Sequence, residues 1–400
     1  RFDVTRGQNS GGDQIYWQTY NVTKGANGAF SLKLDQQNIT ALQIEAEDHL
    51  PAIVSLGTNG ETHFDVELKK GSGPKGIVHT PDGHPAAGAQ LAVLVRGRSV
   101  NVGVGKIANY GGNDSKAVVA NTNGAFTLRF HTNADKIVAT HARGYAETSF
   151  SNFVSGSVLR LQPWGTIEGL LKIGPQPGTN QSVLLSGDGG VQFSLEDFKT
   201  TTDERGRFFM ASVPPGERRL VRLIPIGDRG NRGWGYSHIQ SITVKTGETT
   251  TVTMGGNGRI VVGKLTVSDP SHAMDWRQSG HHTLSYYPKP PPFKGLDEYR
   301  AWENLPETIA ARKNIRSYTL QVQEDGTFRV DDVVAGTYDL RVQLRDASNN
   351  APGFQNTIGT LTTNVVVPAL LDAPAAPVLD LGTFVVPLNS GPQQRSAGLR

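Results

Sequence analysis

The chain of 400 residues contains no cysteine. Disulfides and thiolate metal sites are excluded, so stability must come from packing; the absence fits a reducing compartment or an envelope protein made without bridges. No apolar run approaches the ~18 residues of a membrane-spanning helix, and no span is expected in this stretch. Charge of one sign is lacking too: 39 basic side chains are set against 36 acidic ones, a formal charge of +3. Nucleic-acid binders usually gather their positive charge on one face. The one gathering here is Arg218, Arg219, Arg222, Arg229 and Arg232, followed by Trp234 and Tyr236 and interrupted by Glu217 and Asp228. That basic and aromatic mix belongs to single-strand binders, but a solvated strand face explains it better, and no nucleic-acid partner is expected.

Catalytic signatures are also missing. With no cysteine, no Gly-x-Ser-x-Gly elbow and no His-Glu-x-x-His helix, nothing announces an activated nucleophile or a zinc protease, and the chain reads as a non-enzyme. Val102-Gly103-Val104-Gly105-Lys106 imitates a phosphate loop but lacks the correctly spaced first glycine, and Ile107 stands where a magnesium-binding hydroxyl is required; a glycine-rich β-connection is expected instead. His272, Asp275, His281 and His282 cluster, yet their spacing matches no helix face or metal knuckle, so surface histidines are expected and no cofactor or metal is assigned. Asp325, Asp331 and Asp332 lack EF-hand spacing and read as turn-capping carboxylates.

What the sequence has is glycine, 47 residues of it, and many short alternating segments. Residues 317–345 show both. Tyr318, Leu320 and Val322 alternate with polar residues, Glu324-Asp325-Gly326 interrupts, Phe328 and Val330 resume, and Tyr338, Leu340, Val342 and Leu344 finish the pattern. Side chains two apart share a strand face, and Asp-Gly between such runs predicts a tight primed hairpin turn. The same grammar recurs. Gly206 and Gly216 stand ten apart, as do Gly326 and Gly336, and Asn-Gly-Ala-Phe occurs at residues 27–30 and 123–126. Four turn-plus-strand signatures imply four copies of one module. Their turn glycines, Gly28, Gly124, Gly206 and Gly326, are spaced too unevenly for a stacked solenoid and suit independent β-sandwiches strung like beads.

Residues 76–94 carry a nameable pattern: Gly76-Ile77-Val78, the turn Pro81-Asp82-Gly83, then Pro85-Ala86-Ala87-Gly88-Ala89 leading into a second strand. With the Asn/Asp-x-x-Gly-x-Phe turns at residues 121–126 and 203–208 and the related 325–338 segment, this resembles the carboxypeptidase regulatory-like domain, a transthyretin-like β-sandwich. The resemblance implies an all-β chain of tandem antiparallel β-sandwiches of the transthyretin or carbohydrate-binding-like fold. It transfers no functional residue, because its motifs build turns.

The expected modules are 1–70, divergent and short of a clear opening strand, with Thr62 to Leu68 closing it; 71–163; 164–254; and 255–388. A polar tail, 389–400, follows. The third has Arg218 where the fourth has Tyr338, which predicts a bulge or an edge position. The fourth carries an insertion at about 270–316: Pro288 to Pro292 is expected as polyproline II, and Leu296 to Glu303 and Pro306 to Asn314 as a short helical pair, with Pro306 suiting a first helical turn. Because the chain opens on Arg1 in mid-pattern, it is expected to belong to a longer polypeptide.

Flat rings exposed on β-sandwiches stack on sugars, and two groups sit in loop-like contexts: Trp234 with Tyr236, and Trp276 with Tyr286 and Tyr287. The expected function is a non-catalytic spacer and binding surface, for polysaccharide or other envelope proteins, in an extracytoplasmic bacterial protein. The alternative is an accessory region positioning a separate thioredoxin-like or peptidase domain. Sequons at Asn21, Asn38, Asn113 and Asn180 would matter only in a eukaryotic secretory pathway.

Overall fold

A computed structural model describes residues 2–9, 15–19, 23–24, 26–31, 39–46, 49–55, 63, 65–95, 99–109, 117–131, 134–187, 190–226, 233–269, 274, 276, 282–293, 296–345, 357–369 and 378–389. The fold is all-β, antiparallel sheets packed as sandwiches, with a short helical insertion in the last copy. Three copies share one seven-strand layout. Each opening strand (Lys75–His79, Gly165–Ile173, Arg259–Val267) pairs antiparallel with the strand after the glycine turn (Ala125–Thr127, Arg207–Val213, Thr327–Val333). On its other side it pairs parallel with the copy's closing strand (Val158–Arg160, Thr249–Met254, Leu379–Val386). The facing sheet has four strands, ordered in the third copy Lys199–Thr201, Ser182–Ser186, Gly216–Ile226, Gly233–Val244, and in the fourth Arg316–Thr319, His282–Tyr286, Gly336–Arg345, Thr357–Val367.

The residues that repeat are those that build this layout. In each copy a glycine of the opening strand lies directly opposite the phenylalanine of the turn motif: Gly76 opposite Phe126, Gly169 opposite Phe208, Gly263 opposite Phe328. The ring folds over the bare backbone. A β-carbon on Gly169 would stand 2.0 Å from Phe208 Cζ, and one on Gly263 2.6 Å from Phe328 Cζ. Each ring is buried, so this groove fixes which side of the strand faces the core.

The turns themselves are alike, but they are not the two-residue primed turn expected at Asp325-Gly326. Gly326 N–H donates to Gln323 O (3.0 Å) and Gln323 N–H to Thr327 O (2.7 Å), with only Gly326 left-handed among the turn residues (φ 82°). That is a three-residue loop closed by a glycine bulge, and it repeats at Asp203–Arg207 and Asn121–Ala125. The carboxylate Asp325 caps it as expected, accepting from Thr327 N–H (3.0 Å).

Other expectations are corrected. Residues 65–68, within the stretch expected to close the first module, form no strand, although Val66 and Leu68 pack on the small core of Val4, Leu42 and Ile44. Arg218 does not sit at the local register shift, which falls between Leu220 and Arg222; it pairs with Ile242 on one side, and on the other the ladder to Ser182–Ser186 ends one residue short of it, at Arg219. Instead its Nε donates to Pro214 O (3.1 Å), the carbonyl equivalent to the Val334 O that accepts from Tyr338 Oη (2.6 Å). Arginine thus makes the tyrosine's bond with a longer arm. The expected insertion at 270–316 contains a sandwich strand, His282–Tyr286, so the helices Leu296–Glu303 and Pro306–Lys313 sit in a shorter excursion after it, with Pro306 in the first turn.

Nor are the copies beads. The second and third share one continuous core, running from Leu94, Val102 and Tyr145 into Ile167, Phe198 and Leu220. Strand Val191–Phe193 of the third copy pairs with Val100–Gly103 of the second. The hairpin that imitates a phosphate loop does hold an anion, but a protein one: Val104 N–H donates to Asp197 Oδ2 (3.1 Å) from the third copy, and Lys106 pairs with Glu196 (2.7 Å). Gly103 gives that carboxylate room: a β-carbon there would meet Asp197 Oδ2 at 2.3 Å, so the side chain would have to shift.

Candidate binding surfaces and the joints that hold them

The joint between the third and fourth copies is built on Asp332. Read as a turn cap in sequence, it is instead buried: its Oδ2 accepts from His238 Nε2 (2.9 Å) and Gly256 N–H (2.6 Å), its Oδ1 from Gly258 N–H (2.6 Å). Because a carboxylate only accepts, His238 carries its proton on Nε2; Nδ1 faces Ser237 Oγ (2.8 Å). His238 and Asp332 side chains are 2% and 0% exposed. Burial alone would raise the Asp332 carboxyl, but the His238 and glycine hydrogen bonds outweigh it and hold the group below its ordinary value. The connection Gly255-Gly256-Asn257-Gly258, which composition alone would make a hinge, is thereby fixed at two amides.

The predicted aromatic sites fall into three situations. Trp234 and Tyr236 stand on one face of strand Gly233–Val244, 36% and 44% exposed, opposite Pro225 and Leu223. They flank the small apolar strip of Leu184, Val221 and Leu223, and Lys199 Nζ lies 5.8 Å from the Trp234 ring centre. The Tyr236 backbone is held by Thr319 of the fourth copy, N–H to Oγ1 3.0 Å, so this face is fixed at the joint. Tyr286 and Tyr287, 42% and 43% exposed, end the strand His282–Tyr286. Trp276 is a correction. At 8% exposed it belongs to the fourth core, its indole packed on the Gly326 turn, and it offers no ring face to a sugar.

Of the histidine cluster, only His282 is among the described residues. His282 is buried within its strand, while His272, Asp275 and His281 lie outside the described residues, as do Arg229 and Arg232. No group of three His, Asp or Glu side chains is placed to hold a metal among the described residues. The arginine run is split: Arg222 Nε donates to Gln181 (2.9 Å), whereas Arg218 turns toward the second copy.

Sequence reasoning missed a cleft where three copies meet. Arg218 crosses to Glu147 of the second copy (3.1 Å), between the rings of Tyr145 and Phe193, each 5.7 Å away. Helix Pro306–Lys313 of the fourth copy reaches back over the third: Lys313 pairs with Glu217 (3.1 Å), and Ser241 Oγ donates to Lys313 O (3.1 Å). These contacts enclose about 370 Å³ lined by Lys136, Phe193, Arg219, Ile309, Arg312 and Lys313 among others. Arg312 lies over Trp302 (5.7 Å), which adjoins Tyr299 (5.5 Å) and then Phe293 (5.0 Å). The three-residue spacing of Tyr299 and Trp302 was visible in the sequence; the partner surfaces, a hundred residues away, were not.

No family model matches the chain, and no curated protein matches it in sequence. Among solved structures it is similar to the TIE protein of Bacillus anthracis, at 12% identity over 97% of this chain and 69% of the other, with a TM-score of 0.19. It is also similar to GBS52, the minor pilin of Streptococcus agalactiae (14%, 45% and 94%, TM-score 0.21), and to BcpA, the major pilin subunit of Bacillus cereus (9%, 79% and 99%, TM-score 0.19). No residue role is carried over from likenesses this distant.

Proposed function

We propose that this chain is a non-catalytic array of carboxypeptidase regulatory-like β-sandwiches that spaces and presents a carbohydrate-binding face in an extracytoplasmic bacterial protein. The observation that carries it is the pair Trp234 and Tyr236: two partly exposed rings side by side on a strand, with Lys199 beside them, on a face bonded to the next copy. Rings held this way lose little freedom on binding and can stack on the flat faces of a sugar chain, an arrangement that favours affinity by preorganisation. Tyr286 and Tyr287 are a second, smaller contact of the same chemistry. The polar side chains that the structure does bring together build turns and joints, which supports spacing over turnover. In this family reading the seven-strand layout of three copies is the repeated unit.

The test is binding to an array of neutral polysaccharides. The wild-type chain is expected to retain at least one of them, and Trp234→Ala, folded by circular dichroism, to weaken that binding about tenfold. Uniform failure to bind, or binding indifferent to Trp234→Ala, would remove the carbohydrate face and leave the spacer.

A further inference from the structure

The cleft shared by three copies has an unequal charge. Its lining includes five cations, Lys136, Arg218, Arg219, Arg312 and Lys313, and two carboxylates, Glu147 and Glu217. Both carboxylates are already held by protein donors. Glu147 accepts from Tyr145 Oη (2.6 Å) and Arg218 (3.1 Å), and Glu217 from Thr243 Oγ1 (2.6 Å) with Lys313 beside it (3.1 Å). Arg218 is committed to the joint, since it also donates to Pro214 O, Pro215 O and Glu217 O. Arg312 is paired with Glu303, and the two lysines keep capacity. A lysine ammonium has three protons, Lys313 directs one at Glu217, and Lys136 stands 3.7 Å from Glu147. The floor and one wall, Val191, Phe193 and Ile309, are apolar. A concave surface with apolar walls and surplus positive charge concentrates anions.

We infer that this cleft binds a short segment of a carboxylate-bearing polysaccharide. The helical insertion of the fourth copy is the part that completes the site, because Ile309, Arg312 and Lys313 form the wall that the second and third copies lack. About 370 Å³ lies at the small end of ligand pockets, which begin at roughly 300 Å³, so it seats a short segment and not a folded partner. From Arg312 the rings of Trp302, Tyr299 and Phe293 continue in a row, the first two half-buried and Phe293 exposed, giving a neighbouring sugar a face to stack on while its carboxylates meet the cations. The inference stands apart from the Trp234 face, which neutral sugars test.

Affinity electrophoresis in gels containing polygalacturonate, with a neutral galactan and a single-stranded oligonucleotide as parallel probes, decides it. Polygalacturonate is expected to retard the wild-type chain and galactan to leave the cleft unaffected. The retardation should fall about tenfold in Arg312→Gln/Lys313→Gln and severalfold in Lys136→Gln, on the opposite wall, where Glu147 keeps its Arg218 bond. Lys245→Gln/Arg205→Gln, removing two exposed cations elsewhere, and Trp234→Ala should each change it less than about twofold. No retardation of the wild type, equal loss in the cleft and control variants, or tighter capture of the oligonucleotide through the same residues would each overturn the inference.

Discussion

Asp332 and Ser212 hold the same place in two copies, six residues after the turn glycine, and both are left-handed, with φ of 60° and 54°. His238, the partner of Asp332, is left-handed as well (φ 50°). Such backbone costs a non-glycine residue about 1 kcal/mol or more, and it persists where surrounding bonds fix it. Asp332→Ala would leave the buried Gly258 amide, the partly buried Gly256 amide and the His238 ring without their acceptor, and a loss of about 3 to 5 kcal/mol in the unfolding free energy is expected by denaturant titration. Since the folded carboxyl lies below its ordinary value, its contribution is complete above pH ~4, the range of an unfolded aspartate, and fades as pH drops through the lower native value. The gap in melting temperature between wild type and variant should therefore narrow only in strong acid. A gap that closes already near pH 6 would assign the joint's strength elsewhere.

Strands and turns were readable because their causes are local. Alternation in Arg207–Val213, the Asn/Asp-x-x-Gly-x-Phe signature and the Pro306 helix start each act within a few residues, and each element appeared near its expected place. His282–Tyr286 carried the same alternation, His282, Leu284 and Tyr286, but was masked by its polar surroundings. What local patterns do not encode is which surface meets which: Asp332 finds His238 ninety-four positions away, and Trp276 is buried by a hairpin fifty positions on. The glycines opposite the phenylalanines lie between these cases. Their presence was legible, their reason was not, since it requires the register. Gly263→Ala forces Phe328 out of its groove and should cost about 1 to 3 kcal/mol, as overpacking does, with Gly28→Ala, which has open space but φ 81°, as the control for backbone strain alone. No loss at Gly263 would mean that the ring contact contributes nothing.

Across the molecule, the expected independence of the copies gave way to shared packing. The second and third are fused by a common core, and the third and fourth by buried hydrogen bonds and the returning helix. The reason is chemical economy in a chain without disulfides: short sandwiches with small cores gain by burying one another's ends. A chain so joined holds the surfaces of its copies at fixed separation, which a flexible string would not.

In each of the three like copies, the first strand and the last are parallel neighbours, so the chain enters at one end of the pair and leaves at the other. A pull on the two ends therefore loads all the bonds between those strands together, in shear, and does not peel them singly. The third and fourth copies hold six paired positions along that seam and the second only three, so in a single-molecule pulling measurement the second should give way at the lowest force. Tethered between two anchors, this polypeptide would behave as a cable graded in strength along its length.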